Sequence, residues 1–145
     1  ILDSRRERAF TPALHGFLDL VREGHPGAPI VIITSIASPA IETIPGPTVK
    51  RADGKYYGTP RETAPGDGTL TLSRTRELVT AAVANRRDPD LYLGDGLRLF
   101  GPEDEGLLWD GLHPAAEGYA LIAARFAALA RGRAEGIGEA FARVL

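Results

Sequence analysis

The sequence predicts an α/β domain, three layers deep, with a parallel sheet between layers of helix. Residues 29–36 (PIVIITSI) form a continuous apolar run rich in β-branched side chains, bounded by proline and small polar residues. Such a run suits a strand buried on both faces, as in a parallel sheet. Segments with helical spacing of apolar residues flank it, in the order α-β-(long loop)-α-β-α.

The first helix is expected over residues 11–23, or from as early as residue 6. Thr11 stands as its cap and Pro12 in its first turn. Leu14, Phe17, Leu18 and Val21 repeat at i, i+3, i+4, i+7 and predict one buried stripe, which Gly24 and Pro26 end. The strand follows. Residues 37–70 then hold five prolines and five glycines without helical period. Within them VKRADGKYY predicts a small hairpin turning at Asp53-Gly54. A stretch this long is either a functional loop or lid, or a surface excursion.

A second helix is expected over residues 71–85, burying Leu72, Val79, Ala82 and Val83, and a short strand over residues 90–93. The third helix spans residues 114–131, with Pro114 in its first turn and Tyr119, Ile122, Ala123, Phe126, Leu129 and Ala130 on one face. A tail helix through Ile137, Phe141, Val144 and Leu145 closes the chain. Two strands cannot satisfy both edges of a sheet, and so many helices would cover about twice that sheet, so further strands upstream are expected.

Composition narrows the chemistry. The 145 residues suffice for one domain, and 43% hydrophobic with 25% charged residues is an ordinary globular composition. A net charge of −2 gives no electrostatic case for nucleic acid or an anionic membrane. All but two of the 17 basic residues are arginine, the lysines being Lys50 and Lys55. No apolar run is long enough for a membrane span. The absence of cysteine excludes thiolate nucleophiles, disulfides and cysteine-based zinc sites, and leaves the compartment unassigned. The chain also lacks methionine and opens on the large residue Ile1, so a substantial upstream piece is expected.

Of three histidines, His15 falls beside the apolar stripe of the first helix, as a partly exposed residue. His25 sits past that helix, where an imidazole can bond free carbonyls. No pair has metal-ligand spacing, so no metal site is expected. His113 stands apart: it lies in a strand-to-helix loop, three residues after Asp110, with Gly111 allowing a tight path between them. A carboxylate accepting Nδ1–H holds an imidazole neutral, oriented and in one tautomer, leaving Nε2 to take a proton from a hydroxyl. An incidental loop carries the same pair of residues. Trp109, the sole tryptophan, either walls a pocket or packs beneath the loop. Glu42 either stands near the site at the strand's end or, the better reading, is a solvated loop carboxylate. Ser35 and Ser38 end the buried strand, where α/β folds place ligands, but TSIASP lacks the strand-turn-helix geometry of a nucleophile elbow. Ser4 and Ser73 read as a terminal and a helix-start residue.

The block DGLHPAAEGYALIAARF (residues 110–126) closely resembles the closing motif of the SGNH (GDSL-type) hydrolases, Asp-x-x-His-Pro followed by a Gly-Tyr pair and a last helix. The segments FTPALHGFLDLVREGHPGAPIVIITSIASP, IPGP and LRLFGPEDEGLLWDGLHP extend the resemblance over essentially the whole chain. It implies a flavodoxin-like SGNH sheet, incomplete here, with residues 1–145 forming the C-terminal part of one domain. It makes His113 the general base and acid and Asp110 its orienting carboxylate, in an esterase working through a Ser-His-Asp triad and an acyl-enzyme. No cofactor is implied. The substrate would be a small ester, such as an acetyl group on a carbohydrate. The family's nucleophilic Ser of a Gly-Asp-Ser block and its oxyanion-hole Gly and Asn have no counterparts here: GDG occurs at 66–68 and 94–96 without serine. The missing N-terminal half of the same domain is thus the expected partner. The alternative is a catalytically inert fragment or decayed relative acting as a binding module. The mass of anything co-purifying would separate the two.

Overall fold

The computed structural model describes residues 6–60, 68–132 and 136–144; Ser4, Leu145 and the first two residues of the 66–68 GDG lie outside them. Helix α1 (Glu7–Gly24) leads to strand β1 (Ile30–Ile33), the hairpin strands β2 (Thr48–Lys50) and β3 (Tyr56–Gly58), helix α2 (Leu72–Arg86) and strand β4 (Leu91–Gly94). Two 3₁₀ turns (Gly96–Arg98 and Pro102–Leu107) precede helices α3 (Ala116–Gly132) and α4 (Ile137–Ala142). The fold is α/β: β1 and β4 pair in parallel, Ile30 opposite Leu91 through Ile33 opposite Gly94. Strand β1 occupies only the first part of the expected run 29–36, ending at Ile33, and β4 is shifted one residue beyond the expected 90–93.

Helix α1 takes the earlier of the two expected starts, Glu7 following Arg6, so Thr11 is not its cap and Pro12 lies inside it. Tertiary bonds set this start. The Glu7 amide donates to Gly68 O at 2.7 Å, and the Glu7 carboxylate takes Arg74 of α2 at 2.6 and 3.0 Å. The buried stripe narrows to Leu18, 1% exposed, while Phe17 is 61% exposed. His15 is half-buried against Arg86, whose Nη1 lies 3.2 Å from His15 Nδ1. Past the helix end it is Arg22, rather than the His25 imidazole, that bonds backbone carbonyls, those of the following turn: its Nη1 donates to His25 O, Pro26 O and Ala28 O. A guanidinium reaches three acceptors at once, where the exposed His25 ring makes no such bond among the described residues.

Helix α2 follows its sequence closely. Thr71 caps it, accepting from the Arg74 amide at 3.1 Å, and Leu72, Val79 and Ala82 are buried. Strand β1, expected to be buried on both faces, is half-open, with Ile33 41% exposed. The reason is the narrow sheet: among the described residues β1 and β4 pair only with each other, leaving both outer edges free. Helix α3 starts at Ala116, so Pro114 precedes it; Pro114 is instead drawn into an isolated bridge with Leu108. Its face is also less buried than its spacing predicts, Tyr119 being 58% exposed. Helix α4 places Ile137 against Gly94 of β4 but leaves Val144 66% exposed beyond its end.

The connection after β4 stays close to the end of β1. The Gly96 amide donates to Thr34 Oγ1 at 2.9 Å, and the Ala37 amide to Phe100 O at 3.0 Å. A Cβ on Gly96 would stand 2.1 Å from Thr34 O, so only glycine allows this approach. Phe100 is fully buried, a burial that stabilises by about 1.5–3 kcal/mol. Asp104 is buried beneath the second turn, where it accepts from the Gly101 amide at 2.8 Å and pairs with Arg125 of α3. The Arg125 bond leads the causes that hold the Asp104 carboxyl below its ordinary pKa, against the opposing effect of burial.

Candidate active site

Residues 107–115 make a narrow loop clamped on both sides. The Ala115 amide donates to Leu107 O at 2.7 Å and the Trp109 amide to His113 O at 3.1 Å. At its tip the Asp110 side chain closes the turn, Oδ1 accepting from the amides of Leu112 at 3.0 Å and His113 at 2.8 Å. This is the local turn chemistry an aspartate favours. Gly111 takes the left-handed conformation (φ +78°) that the turn requires.

The other carboxylate oxygen, Oδ2, lies 2.8 Å from His113 Nδ1. A carboxylate here only accepts, so Nδ1 donates to it, and in the neutral tautomer this leaves Nε2 as the acceptor nitrogen. Asp110 is 1% exposed, whereas the His113 side chain is 54% exposed. Burial works against ionisation of Asp110, yet the bonds from the His113 ring and the two amides outweigh it and hold the carboxyl below its ordinary pKa. The arrangement is a fixed anion behind an accessible imidazole. Among the described residues, His113 Nε2 forms no hydrogen bond.

Two aromatic rings confine the imidazole. Trp109 lies nearly parallel to it, centroids 6.4 Å apart, and Tyr56 meets it edge-on at 6.0 Å. Trp109 is 62% exposed, so it is not packed beneath the loop, and it flanks His113 rather than lining the adjoining cavity. The sequence had not singled out Tyr56. It belongs to the expected hairpin, whose register sets Lys50 opposite Tyr56 and whose turn contains Asp53 and Gly54. The hairpin docks on the site loop: the Tyr56 amide donates to Asp110 O at 2.7 Å. Nothing in the spacing of VKRADGKYY points to that contact, because it joins segments more than fifty residues apart. Beside this contact, residues of the hairpin and of the 105–111 segment line a cavity of about 620 Å³.

The remaining candidates lie apart from His113. Ser35 Oγ is 3.4 Å from Arg76 Nη1, and Ser38 Oγ is buried without a partner. Ser73 Oγ donates to Glu42 O at 3.0 Å. Among the described residues no serine bonds His113. Glu42 is not a solvated loop carboxylate: it pairs with the largely buried Arg76 while its Oε2 is buried without a partner. The long loop folds back on α2 there, which covers the acid. Among the described residues no group of three potential ligands could hold a metal ion, and no helix is long and apolar enough to cross a membrane.

No protein-family profile and no curated protein matches the chain. Among solved structures, the chain is similar to the salicylyl-acyltransferase SsfX3 from a tetracycline biosynthetic pathway, with a TM-score of 0.59 and 28% identity over 83% of this chain and 32% of that one. The chain thus spans about a third of the length of the acyltransferase it resembles, 32%.

Proposed function

We propose that this chain supplies the histidine and aspartate of an SGNH-type serine acyl hydrolase, with His113 as general base and acid and Asp110 as its orienting carboxylate. The observation that carries the reading is the 2.8 Å contact between His113 Nδ1 and a fully buried carboxylate, with Nε2 left open. The likeness to an acyltransferase supports it, because hydrolysis and acyl transfer share every step up to the acyl-enzyme.

In this reading a serine hydroxyl from another segment of the same domain gives its proton to His113 Nε2 as its oxygen attacks the ester carbonyl. Asp110 stabilises the resulting imidazolium. The tetrahedral intermediate collapses, Nε2 returns the proton to the leaving alcohol, and the acyl group stays on serine. Water or a second alcohol, deprotonated in turn by His113, then releases it. The oxyanion donors also come from that other segment. The free edge of β1 and the exposed Ile33 offer it a place to join the sheet. A three-layer arrangement fits the alternation along β4: Gly94 faces α4, while Leu93 borders a groove shared with α2.

The test is hydrolysis of a short-chain aryl ester. The chain alone should give no turnover. A longer polypeptide joining it to a Gly-Asp-Ser segment should be active, and His113→Ala should lower its kcat/KM by roughly 10³-fold or more. Turnover by the chain alone that Ser35→Ala abolishes would place the nucleophile elsewhere and overturn the reading. An inactive longer polypeptide would favour a binding module.

A further inference from the structure

We propose that the cavity between the β2–β3 hairpin and residues 105–111 binds an aromatic ring bearing a carboxylate, with Arg51 and Lys55 receiving the acid. The volume of about 620 Å³ lies within the usual range for small-molecule sites. Its lining pairs apolar surface from Ile44, Leu108 and Tyr57, which shares the hairpin face of Arg51, with the two cations. Aromatic walls favour a ring through offset or edge-on contacts. Both cations lie on the hairpin side; Glu105, on the opposite wall, is the one acidic residue in the lining.

Neither cation is engaged in an ion pair among the described residues. Arg51 rests its guanidinium over the Tyr57 ring, 4.2 Å from the centroid. Asp53 is the nearest carboxylate in sequence, and it feels both cations, but its oxygens are taken by the Lys55 amide at 3.0 Å and the Tyr57 hydroxyl at 2.8 Å. The hairpin turn therefore organises itself and leaves two cationic heads for an anion. A guanidinium already stacked on a ring keeps its fork of donors free for a carboxylate.

The cavity adjoins the candidate active site. Gly111, next to Asp110, lines it, and Tyr56 both lines it and touches the His113 ring. Resting on the acyl-hydrolase reading, the cavity would hold the non-reacting part of an ester substrate that carries an aromatic acid. Binding itself does not depend on that reading.

The probe pair is 2-naphthoate and 2-naphthamide, which share a ring system and differ in charge, titrated into the ¹⁵N-labelled chain. Naphthoate should shift the amides of Gly58, Gly106 and Gly111 saturably, at least fivefold more tightly than naphthamide. Arg51→Gln with Lys55→Gln should bring naphthoate down to the naphthamide affinity with the melting temperature unchanged. No saturable shift at those glycines, or equal affinity for both probes, would overturn the proposal. Naphthoate binding by a protein that shows no ester hydrolysis in any form keeps the cavity and removes the hydrolase reading. Ester hydrolysis without naphthoate binding does the reverse.

Discussion

Gly111→Ala tests how the hairpin and the site loop hold each other. Gly111 has φ +78°, and a Cβ there would meet Tyr56 O at 3.3 Å. A left-handed conformation costs an L-residue about 1–2 kcal/mol. Alanine recovers about 0.4–1 kcal/mol by restricting the unfolded chain. The tight contact with the Tyr56 carbonyl adds to the cost, so the net loss should be about 1 kcal/mol or somewhat more. For 145 residues, that corresponds to a fall in melting temperature of about 3 °C or slightly more. Thermal melting followed by circular dichroism measures it. Hydrogen exchange of the Tyr56 amide, which donates to Asp110 O at 2.7 Å, should accelerate in parallel. Gly111→Asn separates the two causes. Asparagine tolerates the left-handed region but carries the same Cβ, so it should recover the melting temperature in part without restoring Tyr56 protection. An unchanged melting temperature and unchanged Tyr56 exchange in Gly111→Ala would show that the hairpin does not brace the site loop.

Asp110→Asn keeps an oxygen for the Leu112 and His113 amides but turns an NH₂ toward Nδ1; the ring proton should therefore move to Nε2, seen in the ¹⁵N shifts of His113, and kcat of the complete enzyme should fall by about 10⁴-fold. A ring already protonated at Nε2 in the unaltered protein would contradict the orienting role. Asp104 and Asp110 ionise at lower pH folded than unfolded, so their stabilisation should be complete above the unfolded aspartate value of about 3.9 and vanish as pH falls through the depressed folded values; acid titration of the unfolding free energy should lose that loss of stability when both are changed to Asn. Thr71→Ala removes the cap that accepts from the Arg74 amide at 3.1 Å and should cost about 1 kcal/mol by denaturant unfolding, whereas Thr71→Ser should retain most of it.

Local chemistry determined what could be read along the chain. Residues 29–36 predict a strand because β-branched apolar side chains suit one, and residues 71–85 predict a helix because Leu72, Val79, Ala82 and Val83 fall on one face. Asp53-Gly54 predicts its turn in the same way. The Asp110–His113 pair was legible because a three-residue spacing lets one turn supply both groups, and the same carboxylate closes that turn. Packing decided the rest. Of the two starts the sequence allows for α1, the earlier is held by Glu7 finding Arg74, 67 residues away, and the turn after that helix is held by Arg22 rather than by the His25 ring. Ile33 is exposed because burial depends on what stands beside and over a strand, and among the described residues β1 has β4 as its one partner. Tyr56 reaches His113, and Glu42 is covered, through contacts between distant segments. Periodicity carries no record of such contacts, since they depend on which surfaces meet when the chain closes on itself.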